Sequence, residues 1–503
     1  KGEDPIVHFY ETFLTEYDHK IREKRGVYYT PEPVVSYIVR SINDILKSHF
    51  AMNDGLASRE VTLLDPAAGT LTFPAEAVKL AVKEYTDKYG SGGKNNFIKT
   101  HILKNYFAFE LMMAPYAIGH IKMSFLLEEL GYKLADDERF KLYLTNTLEM
   151  EDLAQISIPG LSSLSEESHS AAQVKQDPIL VILGNPPYSG ISSNMTEWTD
   201  ELLKTDKDGA QSYYKVDDMP LGERKLWLQD DYVKFLRFAQ WKIHKAGKGI
   251  VGMITNHSYL NNPTFRGMRQ SLMNTFNEIY IIDLHGNSLK KEKAPDGSKD
   301  ENVFDIRQGV AIGIFVKQEN KNVCKVYHKD LWGLRENKYD WLKNNDLNVK
   351  DYVELEPTTP WYFFIPRNVK DLAFYLDWMK VNEIFPENVT GVLTARDNFA
   401  IDFDKQSLRN RIIQFRNKSL NDEMIRNVFK LKDTRGWKLS EARKKLQNDE
   451  NWDAYYKKIL YRPFDIREIY YTPLVIDWGR PEIMQHMLKG DNLGLITTRQ
   501  VAE

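Results

Sequence analysis

The sequence predicts an α/β fold, a mostly parallel, doubly wound sheet followed by an α+β region. Three observations carry that prediction. Between residues 61 and 317 short apolar runs alternate with amphipathic stretches, the pattern of successive βαβ units. One run, "PILVILGN" (178–185), is almost continuously apolar, as suits a strand covered on both faces. Two others end in an acid, Asp65 and Glu110, spaced as adjacent βαβ units require.

The elements follow in order. Residues 5–25 place Ile6, Phe9, Phe13, Tyr17 and Ile21 at helical spacing, so residues 1–26 read as a helical lead-in or linker. In "YYTPEPVVSYIVRSINDIL" Thr30 suits an N-cap and Pro31 the first helical position. Val34, Val35, Ile38, Val39, Ile42, Ile45 and Leu46 then give an apolar stripe. Strands are expected at 61–65, 106–110, 140–146, 178–185, 249–256, 278–286, 308–317 and 325–333, and helices at 73–85, 114–130, 230–243 and 264–276. The polar stretches 157–177 and 290–302 read as surface insertions or mobile loops. Periodicity weakens after about residue 325, which places one domain at 27–328 and a second, truncated one at 329–503.

Composition narrows the function classes. Net charge is −3, so a nucleic-acid partner needs a local basic patch. That density exists: Lys405 to Lys445 holds 13 Lys/Arg against 4 Asp/Glu. The one cysteine, Cys324, excludes an intrachain disulfide framework and a Cys-rich zinc site, and fits a reducing cytoplasm. No metal-ligand set stands out. No long apolar run or signal-peptide pattern is present, so a cytoplasmic location is expected. Both ends read as cuts in a longer chain.

The strand ends carry the chemistry. In "LLDPAAGTLTF" Asp65 closes a strand, and Ala67, Ala68 and Gly69 let a ligand approach the backbone before a helix that begins near Phe73. An ordinary βα turn reads the same way, and the missing G-x-G-x-x-G disfavours a dinucleotide. Glu110 could accept both hydroxyls of a ribose, or simply favour a helix start. Asn146 of "LTNTLE" could read an adenine amino group. In "LVILGNPPYSGI" Pro186 and Pro187 stiffen the backbone, and neither can donate a hydrogen bond. Asn185 Oδ1 and the Pro186 carbonyl offer two acceptors for an exocyclic NH₂, and Tyr188 a flat face for a base. His257 of "MITNHSYL" reads as a structural strand-end histidine.

The order "YYTP", "DPAAGTLTF", "AFE", "LTN", "NPPY" resembles the γ-class amino-methyltransferases over roughly residues 25–320. The resemblance implies a Rossmann-like sheet, S-adenosyl-L-methionine as donor and adenine N6 as acceptor; cytosine-N4 relatives usually carry Ser where Asn185 stands. It implies that Tyr29, Thr30 and Pro31 flank the methionine end of the cofactor, with Asp65, Ala67, Gly69 and Phe73 around its amino-acid and ribose parts, Glu110 on the ribose and Asn146 on the adenine. Phe304 of "NVFDIRQGV" would pack against the flipped base. The segments "HFYETFLTEYDHKIREKRGVYYTPEPVVSYIVRSINDIL" and "YRPFDIREIYYTPLVIDWGRPEIM" further resemble type ISP restriction–modification enzymes. That likeness implies double-stranded DNA as partner and fusion, in a longer protein, to N-terminal nuclease and helicase-like ATPase parts. This chain contains no G-x-x-x-x-G-K-[ST] loop, so ATPase activity is not expected of it.

Basic residues interleaved with aromatics suggest DNA contacts by Arg409, Arg411 and Lys438, and the recognition-like segments add Arg396 and Arg462. Alternatives are an RNA or protein-glutamine amino-methyltransferase, or a non-catalytic DNA-specificity module. The long basic C-terminal region argues against the protein-glutamine enzyme, RNA methyltransferases share the motif, and the intact Asn-Pro-Pro-Tyr argues against the last.

Overall fold

The computed structural model describes residues 30–150 and 162–497, apart from 189, 191, 193, 223–225, 321–322, 369 and 435. The expected helix over 5–25 lies outside the described residues. The chain divides into two compact units, Lys1–Arg367 and Asn368–Glu503.

The first unit is organised by one sheet. Its strands are β1 (Leu63–Asp65), β2 (Tyr106–Glu110), β3 (Lys141–Leu144), β4 (Val181–Gly184), β7 (Gly249–Asn256), β8 (Glu278–Asp283), β9 (Val310–Lys317), β10 (Lys325–Asp330) and β11 (Val353–Leu355). A separate ribbon pairs β5 (Lys215–Val216) with β6 (Met219–Pro220). The main sheet runs in the order β11-β10-β8-β9-β7-β4-β1-β2-β3. All neighbours are parallel except β9, reversed between β7 and β8, and β11, reversed against β10. Chain order changes direction at β1 and β4, which are adjacent with Leu63 opposite Val181. In open α/β sheets such a switch point leaves a crevice at the carboxyl ends of the strands.

Burial explains the apolar runs. Every residue of β4 and β7 is buried, as central parallel strands with both faces covered require. Helix α1 (Glu32–His49) turns its expected stripe inward, and Val34, Val35, Ile38, Val39, Ile42, Ile45 and Leu46 are all buried. It packs so closely on β7 that a Cβ on Gly252 would stand 2.8 Å from Ile42 Cδ1. Pro31, not Thr30, holds the N-cap position of α1, so the cap lies one residue later than expected.

The stretch 157–177 departs from expectation. Among its described residues, Ser162–Gln176 form a helix, α4, and not a surface loop; it follows α2 (Thr72–Tyr89) and α3 (Met113–Glu129) and lies in the crossover from β3 to β4. The sequence hid it because Glu167 and Lys175 are buried and bonded. Lys175 Nζ donates to Thr145 Oγ1, Asn146 O and Glu149 O at 2.8–2.9 Å. Glu167 accepts from the Tyr116 hydroxyl and the Leu144 amide. Lys242, on α5 (Asp231–Ala246), donates to Val174 O, Lys175 O and Asp177 O, the carbonyls that end α4. The stretch 290–302 is likewise anchored: Asp300 accepts from the Gly286 and Gly333 amides and pairs at 2.8 Å with the fully buried Lys338 of α6 (Arg335–Asn344).

The first unit extends past the expected boundary at 328. β10 pairs along its whole length with β8, and β11 with β10, so residues up to Arg367 stay with this sheet. The second unit has its own core, built on Phe399, Leu408, Ile412, Phe415, Trp437, Leu446 and Tyr470. Helices α7 (Lys405–Arg416), α8 (Asp422–Phe429) and α9 (Leu439–Gln447) accompany a three-stranded antiparallel sheet in the order β12 (Ile401–Asp402), β14 (Asp465–Tyr470), β13 (Tyr456–Arg462).

Candidate functional site

The switch point gathers the residues that the sequence marked at strand ends. Asp65 closes β1. Its Oδ1 accepts from the Ala67 amide at 3.0 Å, while Oδ2 is buried with no hydrogen-bond partner among the described residues. Burial pushes this carboxyl up to about 8, against the backbone bond that pulls the other way. A buried polar atom left unpaired is costly. It marks where a polar partner from outside the chain would be welcome.

The loop after Asp65 is bent by two residues of positive φ, Gly69 (+54°) and Leu71 (+64°). For Leu71 that conformation costs on the order of 1–3 kcal/mol, and such strain is concentrated at functional sites. Glu110, at the end of β2, holds the loop: its Oε2 accepts from the Gly69 amide at 2.9 Å and its Oε1 from the Met112 amide at 2.7 Å. A Cβ on Gly69 would meet nothing within 4 Å, so the backbone there faces open space. Ala67 is half-buried, whereas Phe73 lies in the core.

Gly184 lets β4 pass close to Asp65, since a Cβ there would stand 2.7 Å from Asp65 Oδ1. The next residue is Asn185. Its Nδ2 donates to Thr30 Oγ1 at 2.9 Å, and its Oδ1 accepts from the Tyr188 hydroxyl at 2.6 Å. Thr30, just before α1, is thus tied to the end of β4 by this side-chain bond. Pro186 is buried and Pro187 half-buried.

Two of the marked aromatics sit differently from expectation. Tyr188 presents no open face. It is 7% exposed, meets Tyr232 edge-on, and places its hydroxyl 3.1 Å from Ile254 O as well as on Asn185. Burial raises this phenol well above its usual value. Phe304 is buried too, and among the described residues no ring contact joins it to Tyr188. Asn146 lies two residues beyond β3; its Oδ1 accepts from the Leu148 amide and its Nδ2 donates to Asn194 Oδ1. Tyr29 lies outside the described residues.

Sequence reasoning missed what holds the stretch after Tyr188. Asp231 Oδ1 accepts from Ser192 Oγ and, at 3.0 Å, from Asn194 Nδ2. Lys234 Nζ donates to Ser192 Oγ at 2.8 Å and to Asn194 O. The signal was present: two opposite charges three apart on a helix that is otherwise buried, where lone charges are rare unless paired.

In the second unit the five basic candidates separate. Arg396 is buried, ion-paired with Asp477 at 2.6 Å, bonded to Val475 O and stacked 3.8 Å over Trp437. Arg411 donates to Asn398 O, Phe399 O and Ile401 O and pairs with Asp402. Both hold the fold together, contrary to the expectation of DNA contacts, because their donors are spent inside the unit. Arg409 is half-exposed and pairs with Asp453. Arg462 and Lys438 are exposed. Arg462 stacks on Tyr461 where β13 ends, close to Phe464, which is fully exposed.

No helix among the described residues is long and apolar enough to cross a membrane. Residues 1–216 match the family model described as N-6 DNA Methylase. Residues 383–503 match that of the Type ISP C-terminal specificity domain. No curated protein matches the chain. Among solved structures it is similar to the ATP-dependent Type ISP restriction-modification enzyme LlaBIII bound to DNA (26% identity, TM-score 0.66, covering 94% of this chain and 32% of that one). It is also similar to a nuclease-deletion mutant of the Type ISP enzyme LlaGI in complex with a DNA substrate mimic (24%, 0.64, 93% and 39%) and to DrdV in its DNA complex (23%, 0.64, 95% and 46%). The chain therefore spans only 32–46% of the length of these relatives. Its N-terminal part thus resembles the N-6 DNA methylases and its C-terminal part the Type ISP C-terminal specificity domain.

Proposed function

We propose that this chain is the methyltransferase and target-recognition part of a restriction–modification enzyme, moving a methyl group from S-adenosyl-L-methionine to the N6 amine of an adenine flipped out of duplex DNA. The observation that carries the reading is the joining of Asn185 to the cofactor-type loop at one switch point: Gly184 lies against Asp65, and Asn185 bonds to Thr30.

The residues fit the cofactor on two counts, the unpartnered Asp65 Oδ2 and the open space at Gly69. Asp65, Ala67 and Gly69 would hold its amino-acid and ribose portions, with Tyr29, Thr30 and Pro31 at the methionine end. Glu110 would serve the ribose and Asn146 the adenine. Phe73 supports the loop from the core. When bound, the cofactor supplies an electrophilic sulfonium methyl.

The chain's own work is to hold the amine. An adenine must leave the base stack to reach the site, at a cost of a few kcal/mol. Asn185 Oδ1 and the Pro186 carbonyl accept its two N6 hydrogens, which turns the nitrogen lone pair out of the ring plane towards the methyl. The Tyr188 hydroxyl stands on Asn185 Oδ1, so the incoming amine displaces it, and the freed ring stacks on the base. Phe304 would pack against the base from its loop. Positioning and electrostatics supply the acceleration. The second unit reads the target, with exposed Arg462, Lys438 and the partly exposed Arg409 as DNA contacts.

The test is transfer of labelled methyl to duplex DNA, RNA and a glutamine-bearing protein. DNA alone should accept it, at adenine N6. Asn185→Ala should lower the rate by at least 10²–10³-fold, the loss seen when one fixed polar partner of a reacting group is removed, and leave cofactor binding unchanged. Transfer to RNA or protein only would overturn the reading.

A further inference from the structure

A buried cluster lies at the ends of β7, β8 and β10, separate from the Asp65 loop. His257 follows β7, Asp283 ends β8, His285 follows two residues later, and Asp330 ends β10. His257 and His285 are almost wholly buried. Each presents one ring nitrogen to a carboxylate: His257 Nδ1 to Asp283 Oδ1 at 3.0 Å, and His285 Nε2 to Asp330 Oδ1 at 2.9 Å. The other ring nitrogens are His257 Nε2 and His285 Nδ1, and His257, His285 and Glu292 each offer one donor atom within 4.8 Å of the other two.

From these contacts we propose that His257, His285 and Glu292 form a zinc site that pins the 284–308 segment to the sheet. The donor set, two imidazoles and a carboxylate, is one that Zn²⁺ takes in three-ligand sites. A carboxylate on the far nitrogen of each imidazole is the outer shell that orients metal-binding histidines and raises their basicity. Two donors on a tetrahedral zinc with bonds of about 2.05 Å stand about 3.3 Å apart. His285 Nδ1 and Glu292 Oε1 are already 3.3 Å apart. Glu292 is delivered by a tight turn in which its Oε2 accepts from the Asn287 amide and its own amide donates to Asn287 O. Asn287 Nδ2 stands 3.2 Å from His257 Nε2, and the metal would take the place of this amide contact. Charge balance points the same way. Asp283, Glu292 and Asp330 crowd this space, while Lys338 is engaged by Asp300. The role is structural: the metal ties the ends of β7 and β8 to the 287–292 turn, at the root of the segment that carries Phe304. It is independent of what accepts the methyl group.

The test uses the whole chain, without an affinity tag, dialysed against a chelator. Zinc should bind at one equivalent in competition with a chromophoric chelator, and Co²⁺ should give the visible absorption of a tetrahedral N/O site. His257→Gln and Glu292→Gln should each weaken binding by more than a hundredfold. Circular dichroism checks that both variants are folded, and the wild-type Co²⁺ spectrum decides the matter if either is not. Failure to bind one equivalent would overturn the proposal, leaving a protonated His285 as the cation among the carboxylates. Binding undiminished in folded variants would also overturn it, by placing the metal elsewhere.

Discussion

Replacing Asp65 by Asn should make the protein progressively more stable, relative to wild type, as pH rises. The carboxyl is fully buried, one of its oxygens has no partner among the described residues, and burial lifts it to about 8 from an ordinary value near 3.8. Between pH 5 and pH 7 the unfolded chain has already lost this proton and the folded chain still holds it. The unfolded state therefore binds fewer protons, and stability falls with rising pH. One proton corresponds to about 1.4 kcal/mol per pH unit, hence about 2.7 kcal/mol across that window. The loss stops as pH passes the folded value. Asn keeps the shape and cannot ionise. The assay is urea unfolding of both proteins at matched pH values, taking the difference so that shared titrations cancel. A difference that stays flat from pH 5 to pH 7 would refute the claim that Asp65 is held protonated.

Three further outcomes follow from the same geometry. Gly69→Ala should cost about 1–2 kcal/mol from its positive φ alone, since its Cβ meets no neighbour, yet weaken S-adenosyl-L-methionine binding at least tenfold in calorimetry because the methyl enters the open space. Arg396→Ala should destabilise the second unit by about 3–5 kcal/mol, read as an earlier urea midpoint, because it strands Asp477 and uncovers Trp437. Arg462→Ala should change stability by less than about 0.5 kcal/mol, while lowering DNA affinity and reducing the slope of log affinity against log salt by about one.

The parts legible beforehand are those governed by local pattern. A fully buried parallel strand must be apolar throughout, which made β4 and β7 readable. A βα turn that approaches a ligand needs small residues, which marked the stretch from Asp65 to Gly69. The stripe of α1 repeats at the helical period and lies inward as read. What escaped depended on partners distant in the chain. Helix α4 looked like a polar loop because Lys175 and Glu167 are satisfied by Thr145, Asn146, Glu149, Tyr116 and Leu144. The extent of the first unit was set by β10 joining β8 from the far side of the reversed β9.

The same division holds at the site. From residue types alone came the order Asp65, Glu110, Asn146, Asn185, and with it a chemistry, because acids, amides and prolines have donor and acceptor capacities that do not depend on fold. Tertiary structure alone decided which of those capacities are in use. It put the Tyr188 hydroxyl on Asn185, left Asp65 Oδ2 unpaired, turned Arg396 and Arg411 inward, and brought together His257, His285 and Glu292. A hydrogen bond extends about 3 Å through space, and no spacing along the chain encodes which groups the folded sheet will bring that close.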